Sequence, residues 1–347
     1  MKKNKLNKKT KILIGVLLLL LLVIGIVVLL LPKKEVEKEV KVKEEKIEKE
    51  EPVDIIDINS KTRPLSVAVN NTPVAVKVQT GLNKAYLVYE LPTEGSTSRL
   101  LAFYKDAPNT KVGTVRSARH NFLDYSYESD AIFSCYGWSH YAKDQMSSGI
   151  IDFVQGMIGQ GGMWRENPEH LASEHTVYAN TDTVLNYAYN NKGYKKDSDN
   201  TILLNYSGTD VDLSKMDGVK NANTVTIIYG NITTKFIYDA NTKMYKRNVN
   251  GVDAKDYFTK EQFDTKNIIV ERITYSMASD NYYWDLHTTG SGEGFYITNG
   301  YAVPIKWSKE SRKAQTKYTY LDGKEIEVSD GRTYIEVQVT NKNTTIE

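Results

Sequence analysis

A chain of 347 residues, with 45 Lys and Arg against 43 Asp and Glu and a formal net charge of +2, is too long for one small domain and can hold two modest ones. The charge is unevenly placed: residues 1–11 carry six lysines and no acid, and residues 33–51 hold seven Lys and eight Glu, which leaves the remainder at about −3. Such a remainder lacks the basic face that nucleic-acid binding requires, and a single cysteine, Cys135, excludes an intramolecular disulfide.

Residues 12–31, ILIGVLLLLLLVIGIVVLLL, form an uninterrupted apolar run of the length that crosses a hydrocarbon core. The lysines before it are expected to stay cytoplasmic, so 1–11 reads as a basic cytoplasmic tail, 12–31 as a transmembrane signal anchor and the rest as extracytoplasmic. A cleaved signal peptide is the competing reading. The length of the run, and its ending in Leu31 and Pro32 without a small-x-small site, count against cleavage. No cysteine stands near the membrane exit for lipid attachment. An outward-facing head without disulfides suits a bacterial cell envelope better than a eukaryotic secretory route. Residues 32–58 are expected to form a charged stalk, since Val36, Val40 and Ile47 are too few for a sustained heptad.

From Asn59 the pattern changes to folded protein. Residues 65–70, 73–79, 85–91 and 99–106 are short apolar or β-branched runs that predict strands. A helix is expected over 117–129, then a strand over 130–137. Helices follow over 139–149, with Ser139 as N-cap, and over 181–193, capped by Thr181 or Thr183 and stopped by Gly193. Beyond the polar stretch 190–200 the reading turns to strands, beginning with a hairpin through Gly230-Asn231. Most of these runs alternate polar and apolar residues, as in antiparallel sheet with one wet face. GSGEG at 290–294 reads as a hairpin turn, because a phosphate-cradling loop precedes a helix and this one does not. The fold class is α+β: a mixed α/β N-terminal domain over 59–193, then a β-rich, mainly antiparallel C-terminal domain over 200–345.

Four blocks carry a family resemblance: 81–104, 111–139, EHTVYAN at 174–180, and 290–337. They contain E-G-x-x-x-R (Glu94 to Arg99), G-x-V-R-S-A-R (Gly113 to Arg119) and P-I-x-W (Pro304 to Trp307). The chain resembles the YerB-like family of bacterial membrane-anchored and lipoprotein envelope proteins. The resemblance implies an α+β domain followed by a β-rich domain, outside the membrane, and implies no established catalytic activity. The sequence departs from the family pattern in having an apolar run in place of a lipobox. It also has His120 where Pro is more usual, and Glu174 before His175 where Pro is expected.

The arginine motif sets the main chemical question. Two cations in a helix's first turn oppose the macrodipole, at a few tenths to about 1 kcal/mol each, so a negative partner is expected. That partner is either a bound anion held by the guanidinium forks, or an internal carboxylate among Glu94, Glu90, Asp124 and Asp130. The candidate ligand-binding residues are Glu94, Arg99, Arg116, Ser117, Arg119, Tyr136 and His175. Cys135 reads as a small buried residue and not as a nucleophile paired with His140. His170 and His175, at i,i+5, do not have metal-ligand spacing. Trp307 and the tyrosines of 280–285 read as packing residues, with sugar stacking as the alternative.

No catalytic residue, metal or cofactor is expected. The expected function is non-catalytic binding of a polar or anionic envelope ligand or a partner protein. Two alternatives stay open. One is a cell-wall-active hydrolase or transferase that uses Glu94 or Glu174–His175 as acid and base; the other is a purely structural interaction protein.

Overall fold

The structure, a computed structural model, describes residues 7–30, 52–340 and 343–347. Most of the basic tail and the charged segment 33–51 lie outside those residues. Helix α1 (Lys8–Leu30) and the head from residue 50 onward are separate compact units. Asn7 caps α1, its Oδ1 accepting from the Thr10 backbone N–H at 3.0 Å. Among the described residues no helix is long and apolar enough to cross a membrane. Residues 52–58, expected in the stalk, belong to the head. Ile56 is buried in its core, and the Ile55 backbone N–H donates to Asp330 at 3.0 Å.

The first half supplies β1 (Leu65–Asn70), β2 (Leu87–Thr93), β3 (Thr97–Tyr104), β4 (Lys111–Gly113), β5 (Ile132–Cys135) and β6 (Phe153–Gln155). It also supplies helices α2 (His120–Tyr127), α3 (His140–Ser147) and α4 (Thr181–Asn190). Ser139 caps α3 as expected, accepting from the Ala142 N–H at 3.2 Å. The α4 cap is Asn180, whose Oδ1 accepts from both the Asp182 and Thr183 N–H groups, and not Thr181 or Thr183. Residues 73–79, expected as a strand, contain a 3-10 helix at Ala75–Val78. Short apolar runs do not separate the two by periodicity, and Pro73 opens the turn there.

One eleven-stranded sheet takes strands from both halves. Across it run Lys220–Asn221, Tyr301–Lys309, Gly290–Thr298, Asn267–Ile273, Thr333–Val339, β2, β3, β1, β5 and β6, and the eleventh strand, Lys317–Tyr320, pairs with Tyr301–Lys309 off this path. The loop at 190–200 therefore divides the chain in sequence, whereas the sheet runs continuously across that division. Residues 290–294 begin a strand and do not form a turn. The tight turn is Asn299-Gly300, both with positive φ, joining Gly290–Thr298 to Tyr301–Lys309. A second, six-stranded antiparallel sheet from the C-terminal half contains the expected Gly230 hairpin, between Thr224–Ile228 and Thr233–Asp239.

The large sheet is covered on both faces. Along β3, Leu101 and Phe103 pack with Phe122, Leu123 and Met146 of α2 and α3. Leu100, Ala102 and Tyr104 lie in the cluster that includes Val225, Ile227 and Phe236 of the second sheet. This double coverage corrects the expectation of one wet face for the central strands only; in the second sheet Thr224–Ile228 and Thr233–Asp239 alternate buried with more exposed residues, as expected. Asn267–Ile273 and Thr333–Val339 are paired in parallel and buried almost throughout. Their polar residues form internal contacts instead. Glu271 accepts from the hydroxyls of Tyr125 at 2.9 Å and Tyr318 at 2.6 Å, and Glu336 from that of Tyr229 at 2.9 Å. Alternating polarity resembles a solvated face whenever carboxylates are buried against hydroxyls and cations.

Candidate functional site

Strand directions place the chemistry. β1 and β2 each pair antiparallel with β3, so they run the same way, and β1 is parallel to β5 while β5 is parallel to β6. β2 is in turn parallel to Thr333–Val339, itself parallel to Asn267–Ile273. The carboxyl ends of all these strands form one edge of the sheet. Asn70, Glu94 and Tyr136 stand there, together with Arg99 at the start of the opposed β3. Parallel strands deliver their following loops to a common edge, the usual place for a ligand in such sheets.

The segment before α2 carries the arginines. Arg119 is the extended N-cap of α2 (φ −121, ψ 148), so Arg116 and Ser117 precede the helix and do not occupy its first turn. Backbone bonds fix this segment: Arg116 N–H donates to Ala68 O at 2.8 Å, and Tyr136 N–H to Arg116 O at 3.0 Å. The compensating charge is therefore set by side-chain contacts and not by the helix dipole.

Arg119 grips Glu94 with two hydrogen bonds, Nε to Oε2 at 2.8 Å and a guanidinium nitrogen to Oε1, and its guanidinium carbon lies 5.1 Å from the Tyr283 ring centre. Arg99 adds a weaker contact to Glu94 Oε1 at 3.3 Å and donates to Ser117 O at 2.7 Å. These three side chains are nearly sealed from solvent. Burial pushes the Glu94 carboxyl up, but the hydrogen bonds and charge of Arg119, with the charge of Arg99, outweigh it and hold the group below the usual carboxylate range. Burial, then the neighbouring Arg119, pushes Arg99 down to about 9, a sign that one carboxylate serves two guanidinium groups. The other carboxylates considered as partners are engaged elsewhere: Glu90 with Arg247, Asp124 with Arg312, Asp130 with Arg63.

Arg116 differs. It is half-buried, and its contact is with the exposed Glu174 at 3.4 Å. Its Nε is enclosed without a hydrogen-bond partner. His175 completes this corner. Its Nδ1 accepts from the Asn70 side-chain amide at 2.9 Å, which leaves the proton on Nε2, 3.7 Å from Glu174 Oε1. Burial lowers the His175 pKa, so the ring is neutral at pH 7. Ser117 Oγ donates to Tyr136 O at 3.3 Å, and the Tyr136 ring lies 5.0 Å from the Arg165 guanidinium. The fold thus resolves the seven candidates into two groups: an internal brace of Glu94, Arg99 and Arg119, and an open corner of Arg116 and His175 beside Ser117 and Tyr136. Glu174, named from the sequence only as an alternative acid or base with His175, and Asn70 and Arg165, which were not singled out, complete that corner. The EH pair at 174–175 carried a signal for Glu174; Asn70 and Arg165 carried none.

Cys135 is fully buried, and burial pushes its thiol well up, so it is not a thiolate. Trp307 is buried, with its indole N–H donating to Arg272 O at 2.9 Å. Among the described residues, no group of three or more His, Cys, Asp or Glu is placed to hold a metal ion.

Comparisons with known proteins agree with this architecture. Residues 53–195 match the family described as "Protein of unknown function (DUF3048) N-terminal domain", and residues 224–335 match the corresponding C-terminal domain. The chain is 29% identical over 280 residues to the protein named "Putative lipoprotein YerB" of Bacillus subtilis (strain 168), covering 79% of this chain and 81% of that one. The crystal structure of YerB from Bacillus subtilis superposes with a TM-score of 0.70 at 27% identity, over 82% of this chain and 94% of that one. The two matched domains, the sequence identity and the superposed fold place the chain in one group: it belongs to the YerB-like family, whose function is unknown.

Proposed function

We propose that this protein is a non-catalytic binding module held at the cell envelope, and that Arg116, with Glu174 and His175, receives a carboxylate or phosphate of an envelope ligand or partner protein. The observation that carries this reading is the contrast between the arginines. Arg119 is saturated by a buried carboxylate, whereas Arg116 has a half-open guanidinium, an unpartnered Nε and a surface carboxylate at 3.4 Å that an incoming anion can replace. Membrane attachment through residues 12–31, with the N-terminus cytoplasmic and the head extracytoplasmic, is part of the proposal. The apolar sequence, its lysine flank and the lipoprotein name of the Bacillus relative support it. Nucleic acid is not among the proposed partners, because the head is slightly acidic. The hydrolase or transferase alternative fits less well. Glu94 is held ionised and occupied, which disfavours it as an acid.

The test uses Arg116→Gln and Arg119→Gln in the full chain, with calorimetric titration of glutarate and inorganic phosphate and a thermal melt of each protein. Arg116→Gln is expected to weaken binding at least tenfold with little change in melting temperature. Binding that survives Arg116→Gln intact, or no binding of either anion by the unaltered protein, overturns the reading.

A further inference from the structure

A second cleft lies on the same edge of the sheet, away from the arginine motif, where Asn267–Ile273 and Thr333–Val339 end and Gly290–Thr298 begins. Its volume is about 290 Å³, and Arg272, Thr274, His287, Ser291, Glu293 and Thr340 line it. Its polar chemistry is a cation among hydroxyl groups, beside an apolar wall of Ile273 and Trp307. Arg272 is half-buried, its Nε is enclosed without a hydrogen-bond partner, and it forms no ion pair among the described residues. Glu293 is exposed in the lining and does not neutralise it.

A second cation stands beside Arg272, outside the lining of the cleft. The Arg272 guanidinium and the Lys220 ammonium both stand over the Phe295 ring, at 5.4 and 4.2 Å from its centre, and no carboxylate pairs with Lys220 among the described residues. The hydroxyls are already arranged around the imidazole: His287 Nδ1 is 2.7 Å from Thr274 Oγ1, and its Nε2 is 3.3 Å from Ser276 Oγ. Gly292 keeps the floor of the cleft flat, because a Cβ there would lie 2.5 Å from the Trp307 indole nitrogen and 2.8 Å from Arg272 O.

The geometry points to a binding site for a phosphate group esterified to a polyol: Arg272 takes the phosphate, while Ser291, Thr340 and the Thr274–His287 pair meet the polyol hydroxyls. A guanidinium fork matches phosphate oxygens, and rim hydroxyls both donate to and accept from an alcohol. The site is independent of the Arg116 corner. Two sources share this chemistry, a free sugar or glycerol phosphate and a repeating phosphate of an envelope polymer.

The experiment titrates the full chain with glycerol 3-phosphate, with a short poly(glycerol phosphate) and with glycerol alone, and follows amide and side-chain shifts by NMR. Either phosphate ester is expected to bind and to shift Ser291, His287 and Thr340. Binding of the monomer assigns a free ester, and binding of the polymer alone assigns the polymer. Arg272→Gln is expected to weaken this binding at least tenfold, and the conservative Ser291→Ala, at an exposed position, by a few fold. Arg116→Gln leaves it unchanged, so failure here and failure of the Arg116 reading are separable. No phosphate binding, shifts confined to the Arg116 corner, or an affinity indifferent to both Arg272→Gln and Ser291→Ala overturns the proposal.

Discussion

Replacing Arg119 by Gln removes both hydrogen bonds to Glu94 and leaves that carboxylate, 8% exposed, with Arg99 at 3.3 Å as its charged contact. Breaking a buried ion pair from one side costs roughly 3–5 kcal/mol, because the remaining charge stays desolvated. Arg99 places the loss at the lower end, about 3 kcal/mol, and losing the contact with Tyr283 adds roughly 0.5–1 kcal/mol. For a head of this size the melting temperature should fall by on the order of 10 °C. Replacing Arg116 by Gln removes a contact whose partner, Glu174, is 52% exposed, and should cost under about 1 kcal/mol. The cost of Arg119→Gln should also depend on pH. Glu94 titrates below its unfolded value, so its stabilising contribution is complete above about pH 4.5 and disappears as pH falls through the lower folded value. Urea unfolding of both variants from pH 3.5 to 7.5 measures this. A loss under 1 kcal/mol for Arg119→Gln, a loss independent of pH, or an equal loss for Arg116→Gln refutes the division into brace and open corner.

Two further outcomes follow from the buried charged groups. Arg247 is fully buried between the halves and donates to Glu90 at 3.0 Å, with Glu336 beside Glu90 in the parallel register. Arg247→Met should cost roughly 3–5 kcal/mol in chemical denaturation, and adding Glu90→Gln should restore part of it; additive losses would sink this account. Burial pushes the Glu271 carboxyl up to about 7. Because this folded value exceeds the unfolded one, Glu271 lowers stability as pH rises from about 4.5 to 7, and Glu271→Gln should narrow the difference in urea midpoint between pH 5 and pH 8. An unchanged difference would show that the carboxyl is not titrating in that window.

Local signals were strong where a segment's own residues decide its structure. β1 and the Ser139 cap follow the sequence directly, because a β-branched run and a hydroxyl before a helix act within a few residues. The strand expected at 73–79 failed because a short apolar run suits either a strand or a helical turn, and tertiary packing chooses. The wet face expected in the C-terminal half holds in the second sheet but fails for Asn267–Ile273 and Thr333–Val339, for a different reason. Glu271 and Glu336 are spaced like solvent-facing residues, yet Tyr125, Tyr318 and Tyr229 reach them from segments distant in sequence.

The candidate site divides along the same line. The sequence alone determined that Arg116 and Arg119 need negative partners and that Glu94 was a candidate for one. Their charge is a local property, but the first-turn position inferred for them did not hold, since Arg119 is the extended N-cap and Arg116 lies before it. Only the tertiary structure decided which arginine is spent internally. Arg119, as an extended N-cap, points its fork at the turn after β2, whereas Arg116, three residues earlier on a pinned extended segment, meets the exposed Glu174. The cleft at Arg272 was equally invisible beforehand. Its lining comes from strand ends and loops between residues 272 and 340, and the parallel pairing of two buried strands brings them to one edge.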